Sequence, residues 1–375
     1  MVTRYLRRIY STFASHIFDI PPRFLALLFL LILLLVPIAG LNQTWLSILV
    51  SANVLAIFAL SWDLLVGRTG LISLGHAIFF GVGGYTTALV FKFFKLPIWI
   101  SIPAALAMGV LFSIIIGIPC LRVKGPYLAL VTLAFPLIAD EIVTWTQLDH
   151  IFGSELGIHR IPTFFPSLQG TALAQAEYYL TLILLLISGI IIYKIANSKT
   201  GIVFISILDD EVGTKACGIN VTRYKLISFM ISGLFGTLAG CIHVHLFPPI
   251  ANHLLFSLFN SLLPLIVTFI GGMGTIYGAI IGSYVYVLLD RYVMENMLPQ
   301  IARILHISLS DVGLGSLKVS IFALIVLILV IRWPRGLATF TTDRLEDLEE
   351  ARDLDERGPR IWKRYKKKPS NKGAS

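Results

Sequence analysis

Charge is scarce in this chain. Asp, Glu, Lys and Arg make up 14% of its 375 residues, whereas 56% are hydrophobic. A soluble domain carries about 25% charged residues. A mean hydropathy of +0.83 leaves more apolar surface than a soluble fold of this length can hide, so a bilayer is the expected solvent. Cysteine is also sparse. Cys120, Cys217 and Cys241 fall in or beside apolar segments or in a basic loop, which argues against a disulfide framework. Catalytic signatures are missing as well. There is no His-Glu-x-x-His, no Gly-x-Ser-Gly and no pair of carboxylates at helical spacing in the apolar runs. An intramembrane enzyme would need one of these. There is no Gly-x-x-x-x-Gly-Lys-Ser/Thr phosphate loop either, so the chain is not expected to hydrolyse ATP itself. Neither a line of buried acids nor a repeated pore loop supports an ion-coupled carrier or channel. His243 and His245 do not share a helical face, so with His253 they are not expected to bind metal.

What the sequence does contain is long apolar runs without strict alternation, which read as helices and not as barrel strands. Predicted spans fall at about 24–41, 46–66, 70–91, 97–121, 126–147, 178–196, 226–247, 256–271, 275–290 and 319–332. The fold class is therefore an all-α integral membrane protein of about ten transmembrane helices. Residues 1–23 form an N-terminal segment, 24–335 the membrane domain and 336–375 a charged tail. The first run follows Arg4, Arg7, Arg8 and Arg23 and reads as an uncleaved span, because no small-x-small cleavage site follows it. Basic residues set the orientation. Arg122, Lys124, Lys194, Lys199, Lys215, Arg223, Lys225, Arg332 and Arg335 would share the cytoplasmic side with both termini, and Lys92, Lys95, Arg160, Arg291, Arg303 and Lys318 would lie more thinly outside. The net charge of +9 then reflects cytoplasmic loops and not nucleic-acid binding. In the tail, "KRYKKK" suits anionic membrane lipid.

Two loops interrupt this pattern. Residues 147–177 hold few basic residues and are expected outside. Residues 197–225 are polar and expected inside. Within the latter, Asp209, Asp210 and Glu211 suit a helix N-terminus, and Gly218 suits a helix exit. This segment resembles the coupling motif of ABC importer permeases, with Glu211, Gly213, Ala216 and Gly218 in the motif's places. Gly213 and Lys215 depart from its alanine-rich filling. A solvated acidic helix is the plainer alternative.

The chain from about 50 to 337 resembles the LivM-type permease subunits of branched-chain amino-acid ABC importers. "GRTGLISLGHAIFFGVGGYTTALV" (67–90), "GPYLALVTLAF" (125–135), "ACGINVTRYKL" (216–226), "GGMGTIYGAIIG" (271–282) and "WPRGL" match its motifs in order. At the outward loop, "FGSELGI" (152–158) replaces the family's T-G-G-x-x-G-L, which leaves the docking partner or ligand open there. The resemblance implies a second, LivH-like permease subunit, two LivG/LivF-like cytoplasmic ATPases and an external binding protein. It also implies an inner-membrane location and no cofactor of the chain's own, with ATP used by the partners. The solute would be a branched-chain or other hydrophobic amino acid. Urea, short amides and sugars remain alternatives within the wider family, and an intramembrane enzyme or ion-coupled carrier is the alternative of another class.

Glycine costs about 1 kcal/mol per helix-interior position relative to alanine, so its positions need a reason. Gly274, Gly278 and Gly282 recur every four residues and are expected on one helical face, and Gly236 and Gly240 form a second such pair. Around Ser73, Gly75 and His76 the glycines keep no period. That stretch is expected to be a break that lines a path. Pro136 cannot donate to the Thr132 carbonyl, which places Thr132, with Tyr127 on the same run, beside the path. A simple kink is the alternative. Asp140 and Glu141 would face the outer vestibule or reach out to water. Asp63 is expected to pair with Arg68 at the membrane interface.

Overall fold

The computed structural model describes residues 33–123, 125–246, 250–291, 327 and 331–332. The expected spans at 24–41 and 319–332 lie largely outside these residues, as do the N-terminal segment and the charged tail. Among the described residues there is no strand, only an isolated antiparallel bridge between Ile158 and Ala251.

Helix α1, Gln43–Thr69, is the axis of the bundle. It is apolar on every side, as a helix surrounded by other helices must be. Of its polar residues, Asn53, Ser61, Asp63 and Thr69 are buried, while Gln43, Thr44, Ser47 and Ser51 in its first turns and Arg68 near its end are not. It ends at Gly70, whose φ of 69° lets its N–H close the last turn on Val66 O. Around α1 pack α5 (Gly170–Ala196), α8 (Val221–Leu246), α9 (Leu258–Gly271) and α10 (Ile276–Leu288). Helices α2 (Ala77–Phe94) and α3 (Ile98–Cys120) complete the core against α8. The α2–α8 contact is built on missing side chains. A Cβ on Gly240 would lie 1.9 Å from Phe80 O, and one on Gly83 would lie 2.2 Å from Thr237 O. Gly240 and Gly83 therefore bring two backbones together, the mode of packing available where lipid removes the hydrophobic drive between helices, while Gly236 makes room for side chains, its Cβ position lying 3.0 Å from Phe79 Cβ.

Helices α3, α4 (Pro126–Thr144) and α5 turn Trp99, Ile115, Leu130, Ile138, Ile183 and Ile190 outward. A surface this apolar suits lipid or a second membrane subunit. Six described helices are long and apolar enough to cross a membrane. The runs at 256–271 and 275–290 do not form two independent spans as expected. They make α9 and α10, of 14 and 13 residues, bent 109° from each other. Each is about 20 Å long, shorter than a hydrocarbon core of about 30 Å. The bend follows from Gly272 and Gly274, at φ 121° and 80°. For the same reason Gly274 lies in the corner, off the helical face of Gly278 and Gly282. Those two glycines pack α10 on α9, where a Cβ on Gly282 would come within 2.1 Å of Val267 O.

The two polar loops lie at opposite ends of the bundle, separated by the 27 residues of α5, about 40 Å of helix. At one end, Ile158 and Ala251 exchange backbone hydrogen bonds of 2.9 and 3.0 Å, and Lys92 Nζ donates to His150 O and Ile151 O. At the other end stand α6 (Lys199–Asp209) and α7 (Glu211–Ala216).

Candidate functional site

The segment between α1 and α2 passes under α4 at closest contact. Thr132 Oγ1 accepts the Leu74 N–H at 3.1 Å and donates to Ala129 O at 2.8 Å. A Cβ on Gly75 would lie 1.7 Å from the Thr132 carbonyl oxygen, the one that Pro136 leaves without an intrahelical donor. The kink and the glycine therefore fit each other: α4 exposes a backbone carbonyl there, and only a residue without a side chain leaves room for it. Ser73 is fixed from the other side, its carbonyl accepting from Trp62 Nε1 at 2.8 Å. Thr132→Val would strand the Leu74 N–H, a change worth about 1–3 kcal/mol. A melting temperature a few degrees lower in detergent is expected, and an unchanged one would contradict this contact.

His76, fully buried, lies at 2.7 Å from Ser61 Oγ. Ser61 Oγ donates to Phe58 O, so the imidazole Nε2 carries the proton given to Ser61. The Ser61 carbonyl in turn accepts from Ser232 Oγ at 2.7 Å. His76 thus ties α1, α2 and α8 together. Phe58 and Phe79 flank its ring, at centroid distances of 5.2 and 5.4 Å. Ser61 and Ser232 were not singled out from sequence, because a serine in an apolar run carries no spacing signal. Asn53 was not singled out either, although a lone amide in an apolar run is a signal for an interhelical contact; it donates to Thr181 Oγ1 at 3.0 Å and accepts from Tyr284 OH.

The corner between α9 and α10 docks near the same end of α1. Asp63 Oδ1 accepts the Gly274 N–H at 2.7 Å. The expected interfacial ion pair with Arg68 is therefore replaced by a backbone contact, and Asp63 is buried. A Cβ on Gly67 would sit 2.7 Å from Gly274 Cα and 2.8 Å from Asp63 Oδ1. Gly67 is open so that the corner can reach the carboxylate.

Other expected path residues lie elsewhere. Tyr127 is 69% exposed and does not join the Ser73–His76 group. Asp140, half-buried, meets His253 Nδ1 at 3.1 Å at the far end of α4. Glu141 is exposed and lines a surface groove with Leu137, Trp145 and Thr146. His245 Nδ1 donates to Pro162 O at 2.7 Å, and the His243 ring packs on Phe80.

At the end bearing α6 and α7, Asp209 is the last residue of α6 and Asp210 caps α7 by accepting the Val212 N–H at 2.9 Å. Glu211 opens α7 and pairs with Lys225 at 2.7 Å and Lys215 at 3.3 Å. The Lys225 hydrogen bond, more than any other contact, holds the Glu211 carboxyl below the usual carboxylate range. Its contribution is fully present above that range and is lost only as pH falls through the lowered value. Thr214 is the buried pin of the hairpin: its Oγ1 lies at 2.8 Å from both Ser206 O and Asp210 O. A Cβ on Gly213 would press on Asp210 Oδ2 at 2.6 Å, and Gly218 leaves the helix at φ 80°. Ala216 and Val212 face out, Val212 at 77% exposure.

The chain is similar to several permease proteins. It is 27% identical over 299 residues to the high-affinity branched-chain amino acid transport system permease protein LivM of Salmonella typhimurium, covering 72% of this chain and 68% of that protein. To the guanosine ABC transporter permease protein NupQ of Bacillus subtilis it is 26% identical over 193 residues, 47% of this chain and 59% of that protein. To the probable branched-chain amino acid transport permease protein LivH of Methanocaldococcus jannaschii it is 23% identical over 248 residues, 63% of this chain and 76% of that one. No solved structure matches the chain. The model of the family described as branched-chain amino acid transport system, permease component, matches residues 44–331, and with its apolar helices and glycine-built contacts the chain belongs to that family of multi-pass membrane permeases.

Proposed function

We propose that the chain is one permease subunit of an ATP-binding-cassette importer for branched-chain or other hydrophobic amino acids. The observation that carries this reading is the family match across 44–331, which includes the capped hairpin α6–α7 at one end of the bundle. The chain would pair with a second, similar permease subunit, two cytoplasmic ATPases and an external binding protein, in the inner membrane with both termini inside. It carries out no covalent chemistry and uses no cofactor, since ATP is used by the partner subunits. The basic residues Lys194, Lys199, Lys215, Arg223 and Lys225 support placing α6–α7 in the cytoplasm.

In this mechanism α7 is the lever. ATP-driven closure of the motor displaces α7. The Glu211–Lys225 pair passes the displacement to α8, and α8 grips α2 through backbone contacts that cannot slip. The Ser73–His76 segment and Thr132 lie on or beside the path that then opens, where backbone polar groups can meet a polar solute. Reversing charge at Asp209, Asp210 and Glu211 together tests the lever. The variant should reach the membrane and assemble, with ATP hydrolysis no longer producing uptake and leucine import at least tenfold lower. Import at the normal level would contradict it. A second reading, a nucleoside as solute, is favoured by the likeness to the guanosine permease protein. Binding of leucine and of guanosine to the partner binding protein separates the two.

A further inference from the structure

Helix α6 lies across the hairpin-side ends of α5 and α1. Only Asn197 and Ser198 separate it from α5. A Cβ on Gly201 would lie 2.0 Å from Ala196 O, so the first turn of α6 is pressed against the end of α5. Toward its other end, Leu208 Cδ1 lies 3.0 Å from where a Cβ on Gly70 would stand, just past the last turn of α1. The 11 residues of α6 make about 16 Å of helix. Both of its ends are thus held at the ends of membrane-crossing helices, and α6 runs along the membrane surface and not through it. Gly201, Phe204 and Ile207 recur every three residues and are buried against the bundle. Ile202 and Ile205 turn away from it, at 62% and 37% exposure. Exposed apolar side chains on one side of a surface helix call for a cover.

The neighbouring helix and the charges show which cover fits. On α5, Ile183, Ile187 and Ile190 form an exposed stripe at helical spacing that ends in Tyr193 and Lys194, both exposed. A tyrosine and a lysine at the end of an apolar stripe mark the level of the lipid headgroups, and α6 starts at that level. Lys194 and Lys199 stand exposed on either side of the turn, and neither forms an ion pair among the described residues. The exposed acids Asp209 and Asp210 stand at the opposite end of α6. An anionic membrane surface attracts the first end and repels the second. We infer that the first two turns of α6 lie in the inner-leaflet interface and hold anionic phospholipid. Ile202 and Ile205 reach the acyl chains, to the shallow depth of about 5–10 Å usual for an interfacial helix, and the two ammonium groups meet the phosphodiester. The inference rests on the cytoplasmic placement of the hairpin and adds a division of labour. α6 is the pivot seated on lipid, and α7, with Asp210 and Val212 turned from the membrane, is the arm left to the motor.

The test uses the complete importer in lipid nanodiscs. Ile202→Cys or Val212→Cys is introduced together with Cys217→Ser, since Cys217 is the exposed native cysteine and Cys120 and Cys241 are buried, and the new thiol carries a fluorophore. Phospholipid with brominated acyl chains, a contact quencher, is added as a minor component of a neutral bilayer, either as phosphatidylglycerol or as phosphatidylcholine. Brominated phosphatidylglycerol should quench the label at Ile202→Cys at least twofold more than the same amount of brominated phosphatidylcholine. Lys194→Gln with Lys199→Gln should remove that difference, and the label at Val212→Cys should be quenched by neither lipid. If Ile202→Cys is not quenched, or is quenched equally by the two lipids, the anionic-lipid site is overturned, and with Val212→Cys unquenched the lever reading stands. If Val212→Cys is quenched as strongly as Ile202→Cys, the whole hairpin lies in lipid, and the lever reading falls with the division of labour.

Discussion

Gly75→Ala is expected to remove import almost completely and to lower the melting temperature of the purified protein by several degrees. The added methyl would lie 1.7 Å from the Thr132 carbonyl oxygen and 2.4 Å from its carbon. Both are backbone atoms, so no side chain can rotate away and α4 itself must move by more than an ångström. Overpacking of a closed interior costs about 1–3 kcal/mol, and a rigid backbone neighbour places this change at the upper end. Moving α4 also breaks the Leu74–Thr132 hydrogen bond, which is what connects the loss of stability to the loss of transport. Differential scanning fluorimetry in detergent reads the first effect and leucine uptake in proteoliposomes the second. Near-normal values of both would mean that the 70–76 segment does not run against α4.

The second large effect is expected at the α9–α10 corner. Asp63→Ala removes the acceptor of the Gly274 N–H and leaves that donor unpaired in the interior, a loss of about 1–3 kcal/mol. Asp63→Asn keeps an oxygen in the same place without the buried charge. Uptake should fall at least tenfold in Asp63→Ala and be retained within a few-fold in Asp63→Asn. Gly67→Ala should resemble Asp63→Ala, since its methyl meets the Gly274 backbone at 2.7 Å. If Asp63→Asn were as defective as Asp63→Ala, the carboxylate's charge and not its contact with the corner would be what matters.

Much of the bundle was legible because lipid makes the sequence plain. The apolar runs gave helices at Gln43–Thr69, Ile98–Cys120 and Val221–Leu246 close to their expected limits, since no other backbone arrangement satisfies itself there. Pro136 pointed to the Thr132 carbonyl by local covalent geometry alone. The capped start of α7 at Asp210 and the exit at Gly218 were legible for the same reason, as caps are decided within one turn. The glycine corner between α9 and α10 was legible as a break, but its 109° bend was not. A run with three glycines in four residues, Gly271, Gly272 and Gly274, reads equally as a break between spans or as a reversal, and its hydropathy is the same either way. Asp63 was paired with Arg68 because they are close in sequence, but its partner Gly274 stands 211 residues away. Hydrogen bonds that join distant helices, such as Ser232 to Ser61 and Asn53 to Thr181, follow from packing and leave no periodic trace.

The central claim is that the hairpin around residue 212 is a lever pushed by a separate motor, and cross-linking tests it most directly. Val212→Cys places a thiol on the exposed face of α7. In the assembled importer, a short thiol-specific cross-linker should join it to an ATPase subunit, with a yield that changes when ATP is bound. A Val212→Cys thiol that never cross-links to an ATPase subunit, and that a membrane-impermeant reagent modifies from outside intact cells, would contradict the claim.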